Sequence, residues 1–174
     1  QLQIPEFVRN DATRCYHCKT DLYSLLETLR DEYAAGHIVD GTNVDDLGDD
    51  RPGLKAARER GVRSPLLEAA FSKADIRDVA RELCLSNWDK PAAACLSSRV
   101  PRGITITRST LSRVERAEAA LAQEGFRQYR VRDHGEIARI EMVVEELPGL
   151  LQPGRRERLA ETLKKLGYRF VTVD

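Results

Sequence analysis

The stretch FRQYRVRDHGEIARIEMVV, residues 126–144, carries the clearest structural pattern in the chain. Apolar and polar residues alternate on both sides of Asp133-His134-Gly135, which is typical of two strands joined by a turn. We therefore predict strands over 126–132 and 136–144 that pair as a hairpin.

Helix signals flank this hairpin on both sides. Before it, Thr107 or Ser109 can cap a helix that ends at Gly125, and after it Pro153 opens a helix that leads to a last strand. The order helix, strand, strand, helix, strand is most of a ferredoxin-like α+β unit. We predict such a small α+β domain for residues 101–174.

The first half of the chain predicts a different architecture. Segments of strand and helix character alternate there, which is typical of a parallel α/β sheet. We predict a partial Rossmann-like parallel sheet for residues 1–100, with the domain boundary near Val100. The expected elements are helices over 18–33, 54–60 and 73–85, the last capped by Ser72 with Asp75, and extended segments over 37–40 and 64–68.

Charge and composition narrow the function. The 174 residues hold 28 Lys plus Arg and 28 Asp plus Glu, so the formal net charge is zero. A general nucleic-acid binder needs many unpaired cations, so we expect no nucleic-acid partner, although a local basic pocket for a small phosphorylated substrate fits. No apolar run approaches the roughly 18 residues of a membrane span, and no signal peptide is visible. We expect a cytoplasmic protein with no membrane association.

Cys15 and Cys18 lie three residues apart at the start of a predicted helix, so both sulfurs can lie on one side. The positive end of the helix and the neighbouring basic residues favour thiolates. Thiolates are the ligands that soft metals and iron–sulfur clusters require. A structural zinc site, with His17 and Cys95 as further ligands, is an open alternative.

The other two cysteines differ in setting. Cys95 follows three alanines and precedes a basic residue, which suits a sulfur that a ligand approaches closely, although a buried loop cysteine fits the pattern equally. Cys84 shares a helical face with Ile76, Val79 and Leu83, and we expect it in the core.

An acidic loop follows the strand candidate at 37–40. Its aspartates could bind magnesium beside a nucleotide, and Gly41-Thr42-Asn43 suggests close approach of the backbone to a ligand. A solvated turn is the simpler interpretation of the pattern alone. The aspartates are Asp45, Asp46, Asp49 and Asp50.

Arg130 and Arg132 alternate on a predicted strand and therefore share a face. Two guanidinium groups on a rigid strand make a good phosphate clamp. Arg139 and Glu141 alternate in the same way on the return strand. A polar sheet surface without a ligand fits the pattern equally.

Seven motifs in order along the chain resemble one family. The family is the ATP-dependent sulfur transferase called LarE, within the ATP pyrophosphatases that include tRNA thiolases, NAD synthetase and GMP synthetase. The resemblance implies that the first domain has the adenine nucleotide hydrolase type of α/β fold. The motifs are RCYxCK at 14–19, GTNxDD at 41–46, RPG at 51–53, RSPL at 63–66, WDKPA at 88–92, CLxSR at 95–99 and RVRDHG at 130–135.

The resemblance implies an activity. The family adenylates a carboxylate of pyridinium-3,5-biscarboxylic acid mononucleotide and then replaces AMP with sulfur, in building the nickel-pincer cofactor of lactate racemase. Some members sacrifice the cysteine that matches Cys95, leaving dehydroalanine. Others hold a [4Fe-4S] cluster on cysteines that match Cys15, Cys18 and Cys95 and transfer a sulfide from it. Because this chain has all three cysteines, we favour the cluster.

Further roles are carried over from the resemblance. Arg130 and Arg132 match arginines that bind the substrate phosphate. Ser98 and Arg99 match the motif beside the reactive cysteine, and Glu118 and Glu141 match carboxylates near that site. Asn43 and Asp46 fall where the nucleotide site of the family would be.

The departure from the family is its opening Ser-Gly-Gly-Val-Asp-Ser loop, which cradles pyrophosphate and has no counterpart here. We expect this chain to start in mid-sequence, to bind ATP with Mg²⁺ poorly or not at all, and to regain the loop with roughly 80 residues upstream. We also expect a homo-oligomer, as the family tends to form multimers. A tRNA-thiolating relative and a zinc-stabilised binding module without catalysis are the competing hypotheses.

Overall fold

A computed structural model describes residues 1–48 and 51–174, and the chain forms two compact units. Unit 1 consists of residues 3–90 with Gln1, and unit 2 of residues 91–174 with Leu2. The predicted domain boundary near Val100 stays a prediction. Across the described ranges, no helix combines the length and the apolar character needed to cross a bilayer.

Unit 1 consists mainly of helices. The long helix α2 starts earlier than the predicted Cys18, so Cys15 and Cys18 both lie near its beginning. The helices are α1 (Pro5–Val8), α2 (Arg14–Glu32), α3 (Pro52–Glu59), α4 (Pro65–Glu68) and α5 (Lys73–Glu82), with a 3-10 turn at Val44–Asp46.

The predicted cap of α5 is confirmed, but the predicted place of Cys84 is wrong. Ser72 accepts a hydrogen bond from the Asp75 N–H, and Asp75 accepts one in return from the Ser72 N–H. The helix ends at Glu82, and Cys84 follows with a φ of 55° and an exposed side chain. Because Cys84 lies beyond the helix end, it does not continue the apolar face of α5.

The parallel sheet predicted for the first half is present only as one bridge among the described residues, between Val39 and Arg63. Two hydrogen bonds form it, from the Asp40 N–H to the Arg63 carbonyl at 2.9 Å and from the Arg63 N–H to the Ile38 carbonyl at 3.0 Å. The predicted extended segment over 64–68 is wrong, because it forms α4. Proline at the first helical position loses no hydrogen bond there and has its φ preset for a helix.

Unit 2 contains the sheet that makes the chain α/β. Strands β1 and β2 are antiparallel, and β3 pairs with β2 in parallel. A ferredoxin-like unit contains a split βαβ, whereas β2 and β3 are direct neighbours here, so the ferredoxin-like topology is not confirmed. The elements are α6 (Arg108–Gln123), β1 (Tyr129–His134), β2 (Ile137–Met142), α7 (Leu147–Leu150), α8 (Arg155–Lys165) and β3 (Phe170–Val173), with 3-10 turns at Leu96–Arg99 and Val144–Glu146.

The core of unit 2 lies against one face of this sheet. Val131, Ala138 and Ile140 are buried there, together with Leu121 of α6 and Leu163 of α8. Successive side chains of a strand point to opposite faces. The residues between these buried positions therefore form the other face, which is polar.

Asp133 belongs to β1 rather than to the predicted turn. The turn lies one residue later, after His134, which pairs with Ile137. Asp133 is 4% exposed and accepts hydrogen bonds from Arg113 at 2.9 and 2.8 Å and from the Tyr168 hydroxyl at 2.9 Å. Burial and the Asp133 charge raise the pKa of Tyr168, so its hydroxyl remains a donor.

We predict that Asp133→Ala lowers the free energy of unfolding by about 3 kcal/mol, because it leaves Arg113 and the Tyr168 hydroxyl without their shared partner. Urea denaturation at neutral pH measures this loss. The control is Glu136→Ala, which removes an exposed carboxylate beside the same turn and should change stability by less than about 0.5 kcal/mol. Equal midpoints for the two variants would contradict the prediction.

Candidate functional site

Cys95 precedes the 3-10 turn Leu96–Arg99 in unit 2, and its side chain is exposed. Its carbonyl accepts hydrogen bonds from the Ser98 N–H at 3.0 Å and the Ser98 hydroxyl at 2.8 Å. The backbone of the turn is therefore fixed while the thiol remains accessible.

Arg99 anchors this turn from below. Its guanidinium is buried, and Nη1 donates to the carbonyls of Ala94 at 2.9 Å and Cys95 at 3.3 Å and to Ser98 Oγ at 3.0 Å. Its Nε and Nη2 donate to the two carboxylate oxygens of Glu118 at 2.7 and 3.3 Å. Arg99 thus holds the main chain on both sides of the Cys95 Cα.

Glu118, on α6, connects three elements. Besides Arg99, its Oε1 accepts a hydrogen bond from the Val131 N–H of β1 at 3.0 Å. The side chain is mostly buried, at 17% exposure. The sequence predicted a carboxylate near the site, and its contacts here join the Cys95–Arg99 turn to α6 and β1.

Arg132 connects the same turn to the polar face of the sheet. Its Nη1 donates to the Ser98 carbonyl at 2.7 Å, and its Nη2 lies 2.8 Å from Glu141 Oε2. Glu141 Oε1 also accepts a hydrogen bond from Arg139 at 2.7 Å. The hydrogen bond from Arg132, with that from Arg139, holds the pKa of Glu141 below its usual value.

Arg130 lies on this face opposite Glu141 in the strand register. Within residues 1–48 and 51–174 it makes no hydrogen bond or ion pair, and its side chain is partly exposed. Together, Arg130, Arg132 and Arg139 face the single carboxylate Glu141. An excess of guanidinium groups on a rigid sheet suits a phosphate-type anion.

Arg139 received no role from sequence reasoning. The available signal was the hairpin register, because Arg139 lies directly opposite Arg132. Like charges in directly opposed positions destabilise a sheet. Such a pair is therefore a sign of a compensating anion, but it becomes visible only once the turn is placed correctly.

Cys15 and Cys18 lie in unit 1, near the start of α2. Cys15 is exposed and accepts a contact from Arg14 Nη2 at 3.7 Å, and Cys18 is partly buried. No disulfide joins any of the four cysteines, all of which are described. Neither unit by itself groups three or more His, Cys, Asp or Glu side chains for a metal, as far as its residues are described.

The acidic loop of unit 1 uses its side chains within itself. Asn43 accepts a hydrogen bond from the Asp45 N–H, and Asp46 accepts one from the Asn43 N–H and pairs with Arg51. Asp45 caps α5 by accepting from the Lys73 N–H at 2.6 Å. These contacts fit an ordered turn, and the nucleotide role of Asn43 and Asp46 stays a prediction. Asp49 and Asp50 lie outside the described residues.

Comparisons with known proteins give three relatives. The chain is 43% identical to an uncharacterized protein of Synechocystis over 100% of its length. It is 41% identical over 91% to the pyridinium-3,5-bisthiocarboxylic acid mononucleotide synthase of Lactiplantibacillus plantarum, and 31% identical over 99% to an uncharacterized protein of Methanocaldococcus jannaschii. The chain spans 65%, 57% and 67% of the lengths of these proteins, respectively. No protein-family model matches it.

Fold and site define an α/β protein in which an accessible cysteine lies at a turn bonded to an arginine-rich sheet face. The relatives identify the group within that class. At 31% identity over two thirds of the archaeal protein, and 41% identity to the named synthase, the chain belongs to the LarE-like family.

We predict that Glu118→Ala lowers the free energy of unfolding by about 3–5 kcal/mol, because it leaves the Arg99 guanidinium buried without its counter-charge. Glu115→Ala is the matched control, since Glu115 is exposed one turn earlier on α6. Urea denaturation compares the two variants. Equal stabilities would show that the Arg99–Glu118 pair does not hold the turn.

Glu141→Gln should cost stability at neutral pH but little in acid. The lowered pKa means that Glu141 adds stability above its unfolded value, near 4.5, and loses it as pH falls through the lower folded value. The stability difference between wild type and variant should therefore shrink below about pH 4. Urea midpoints across this range test it, with Glu161→Gln on α8 as the exposed control. A difference that is independent of pH would contradict the assigned pairing.

Proposed function

We propose that this chain is part of a sulfur transferase that converts carboxylates of pyridinium-3,5-biscarboxylic acid mononucleotide to thiocarboxylates, for a nickel-pincer cofactor. One observation carries the proposal: Arg132 bonds the Cys95–Arg99 turn to the arginine face through the Ser98 carbonyl, at 2.7 Å. An accessible thiol and an anion-binding surface therefore lie side by side within unit 2. The name of the Lactiplantibacillus relative supplies the substrate class.

The proposed reaction has two steps. A substrate carboxylate oxygen attacks the α-phosphate of ATP, which forms an acyl adenylate and releases pyrophosphate. A sulfur nucleophile then attacks the acyl carbon and displaces AMP. Activation is needed because a carboxylate is a poor electrophile, whereas AMP is a good leaving group. ATP with Mg²⁺ is thus a co-substrate of the proposed enzyme, with Asn43 and Asp46 as its predicted contacts.

The residues of unit 2 have distinct proposed roles. Arg130 and Arg132 bind the substrate phosphate, with Ser98 beside them. Glu141 holds the Arg132 guanidinium in place through its 2.8 Å contact. Arg99 and Glu118 act next to the bound substrate mainly by fixing the Cys95 backbone, since most of their polar atoms already have protein partners.

We propose that Cys15, Cys18 and Cys95 hold a [4Fe-4S] cluster. The donor set fits, because thiolates are the usual ligands of such clusters and none of these cysteines is in a disulfide. When bound, the cluster supplies a sulfide as the nucleophile. The residues of the chain bind the ligand phosphate and keep the Cys95 turn rigid.

The alternative sulfur source is Cys95 itself. Its exposure and its fixed backbone are compatible with direct attack by its thiolate on the acyl adenylate. Cleavage of the Cβ–S bond would then leave dehydroalanine at position 95. The two routes differ in what remains on the protein after turnover.

We predict that anaerobically purified protein contains iron and acid-labile sulfide, and that Cys15→Ser, Cys18→Ser and Cys95→Ser each reduce both several-fold. The expected loss follows because each variant removes one thiolate ligand. Cys84→Ser is the matched control, since Cys84 is also exposed but outside the proposed ligand set. Metal analysis and the visible absorption spectrum report the outcome.

Other outcomes distinguish the alternatives. Colourless protein with stoichiometric zinc supports a zinc-stabilised binding module and contradicts the cluster. Loss of the mass of hydrogen sulfide at Cys95 after turnover supports the sacrificial route. Thiolation of tRNA in place of the pyridinium nucleotide would contradict the proposed substrate.

A further inference from the structure

Two buried donors on the polar face of unit 2 have no hydrogen-bond partner in the described chain. They are Arg132 Nε and Arg139 Nε. A buried N–H without a partner costs about 1–3 kcal/mol. Native proteins seldom leave such groups unsatisfied, and a ligand that is not part of the chain is one common reason.

The charges on this face are unbalanced in the same direction. Arg132 and Arg139 share the one carboxylate of Glu141, on its Oε2 and Oε1 respectively. Arg139 Nε also lies 3.6 Å from Asp174, too far for a hydrogen bond. Arg130 adds a further guanidinium opposite Glu141. The face therefore holds more positive charge than its own carboxylates neutralise.

We infer that Arg139 is a third substrate-binding arginine, so that this face is a three-arginine site for a phosphate monoester. The inference deepens the proposed function and rests on it for the identity of the substrate. A phosphate monoester carries about −1.5 to −2 charge at pH 7 and three acceptor oxygens. These properties match the excess positive charge and the two unsatisfied Nε–H groups.

The register gives a physical reason for Arg139 in particular. Arg132 and Arg139 are directly opposed across β1 and β2, and like charges at such positions destabilise a sheet. The side chain of Arg139 is only 40% exposed, so water screens this repulsion incompletely. An anion between the two guanidinium groups would convert the repulsion into two charge-assisted hydrogen bonds.

The test is calorimetric titration of the whole chain with nicotinamide mononucleotide and with its riboside, which differ only by the phosphate. Wild type should bind the mononucleotide more tightly. Arg139→Gln should lose about tenfold in mononucleotide affinity, the equivalent of one charge-assisted hydrogen bond, with no change for the riboside. Arg139→Lys keeps the charge but loses Nε–H, and should lose less.

Two further variants complete the design. Arg130→Gln should weaken mononucleotide binding without breaking any ion pair of the described chain. Arg156→Gln, an exposed arginine on α8, is the control and should bind both ligands as wild type does. Circular dichroism shows whether each variant is folded, and if Arg139→Gln is not, Arg139→Lys decides.

The outcomes separate this inference from the proposed function. If both Arg139 variants bind the mononucleotide as wild type does while Arg130→Gln is weakened, Arg139 is not a ligand and the proposed function stands. If wild type binds mononucleotide and riboside equally, the phosphate site itself is absent, and the inference fails together with the substrate of the proposed function. An equal loss for both ligands in Arg139→Gln would make its role purely structural.

Discussion

The carboxylate of Glu118 is the contact on which the geometry of unit 2 depends. It accepts two hydrogen bonds from Arg99 and one from the Val131 N–H. One side chain therefore ties together the turn that presents Cys95, helix α6 and strand β1. Because a charge-assisted pair of this kind is strong only while both partners are present, the position of the Cys95 backbone is coupled to the packing of α6 against the sheet. Chemistry at this cysteine would thus be supported by the core rather than by a mobile loop.

The polar face of the sheet shows the opposite arrangement, because its charges are not balanced by the chain. Three arginines surround Glu141, and two of them oppose each other directly. A surface shaped by stability alone would place carboxylates opposite these cations. Strain of this kind commonly marks a functional site, where a ligand compensates for what the fold leaves unsatisfied. Unit 2 thus combines a fully satisfied buried side, around Glu118 and Asp133, with an unsatisfied side that faces outward.

Local signals in the sequence predicted much of the secondary structure, whereas tertiary contacts explain most of what was missed. The Ser72 cap of α5, the Thr107 cap of α6 and the hairpin all depend on neighbours within a few residues. The extended segment over 64–68 was wrong because Pro65 is equally suited to open a helix. Cys84 was misplaced because the apolar spacing continues past the residue where the helix ends. The partnership of Arg99 with Glu118 joins residues far apart in sequence, so no local pattern could reveal it.

The candidate site depends on where the hairpin turns. A turn over 133–135, as predicted from the sequence, would pair Arg132 with Glu136 and Arg130 with Ala138. The arginines would then share a face with Ala138 and Ile140, which are core residues, and a one-residue change of this kind moves every side chain to the other face. Asp133 prevents it, because its burial against Arg113 and Tyr168 keeps β1 extended through His134. The ion pair on the core side therefore sets the register that brings Arg130 and Arg132 opposite Glu141 and Arg139.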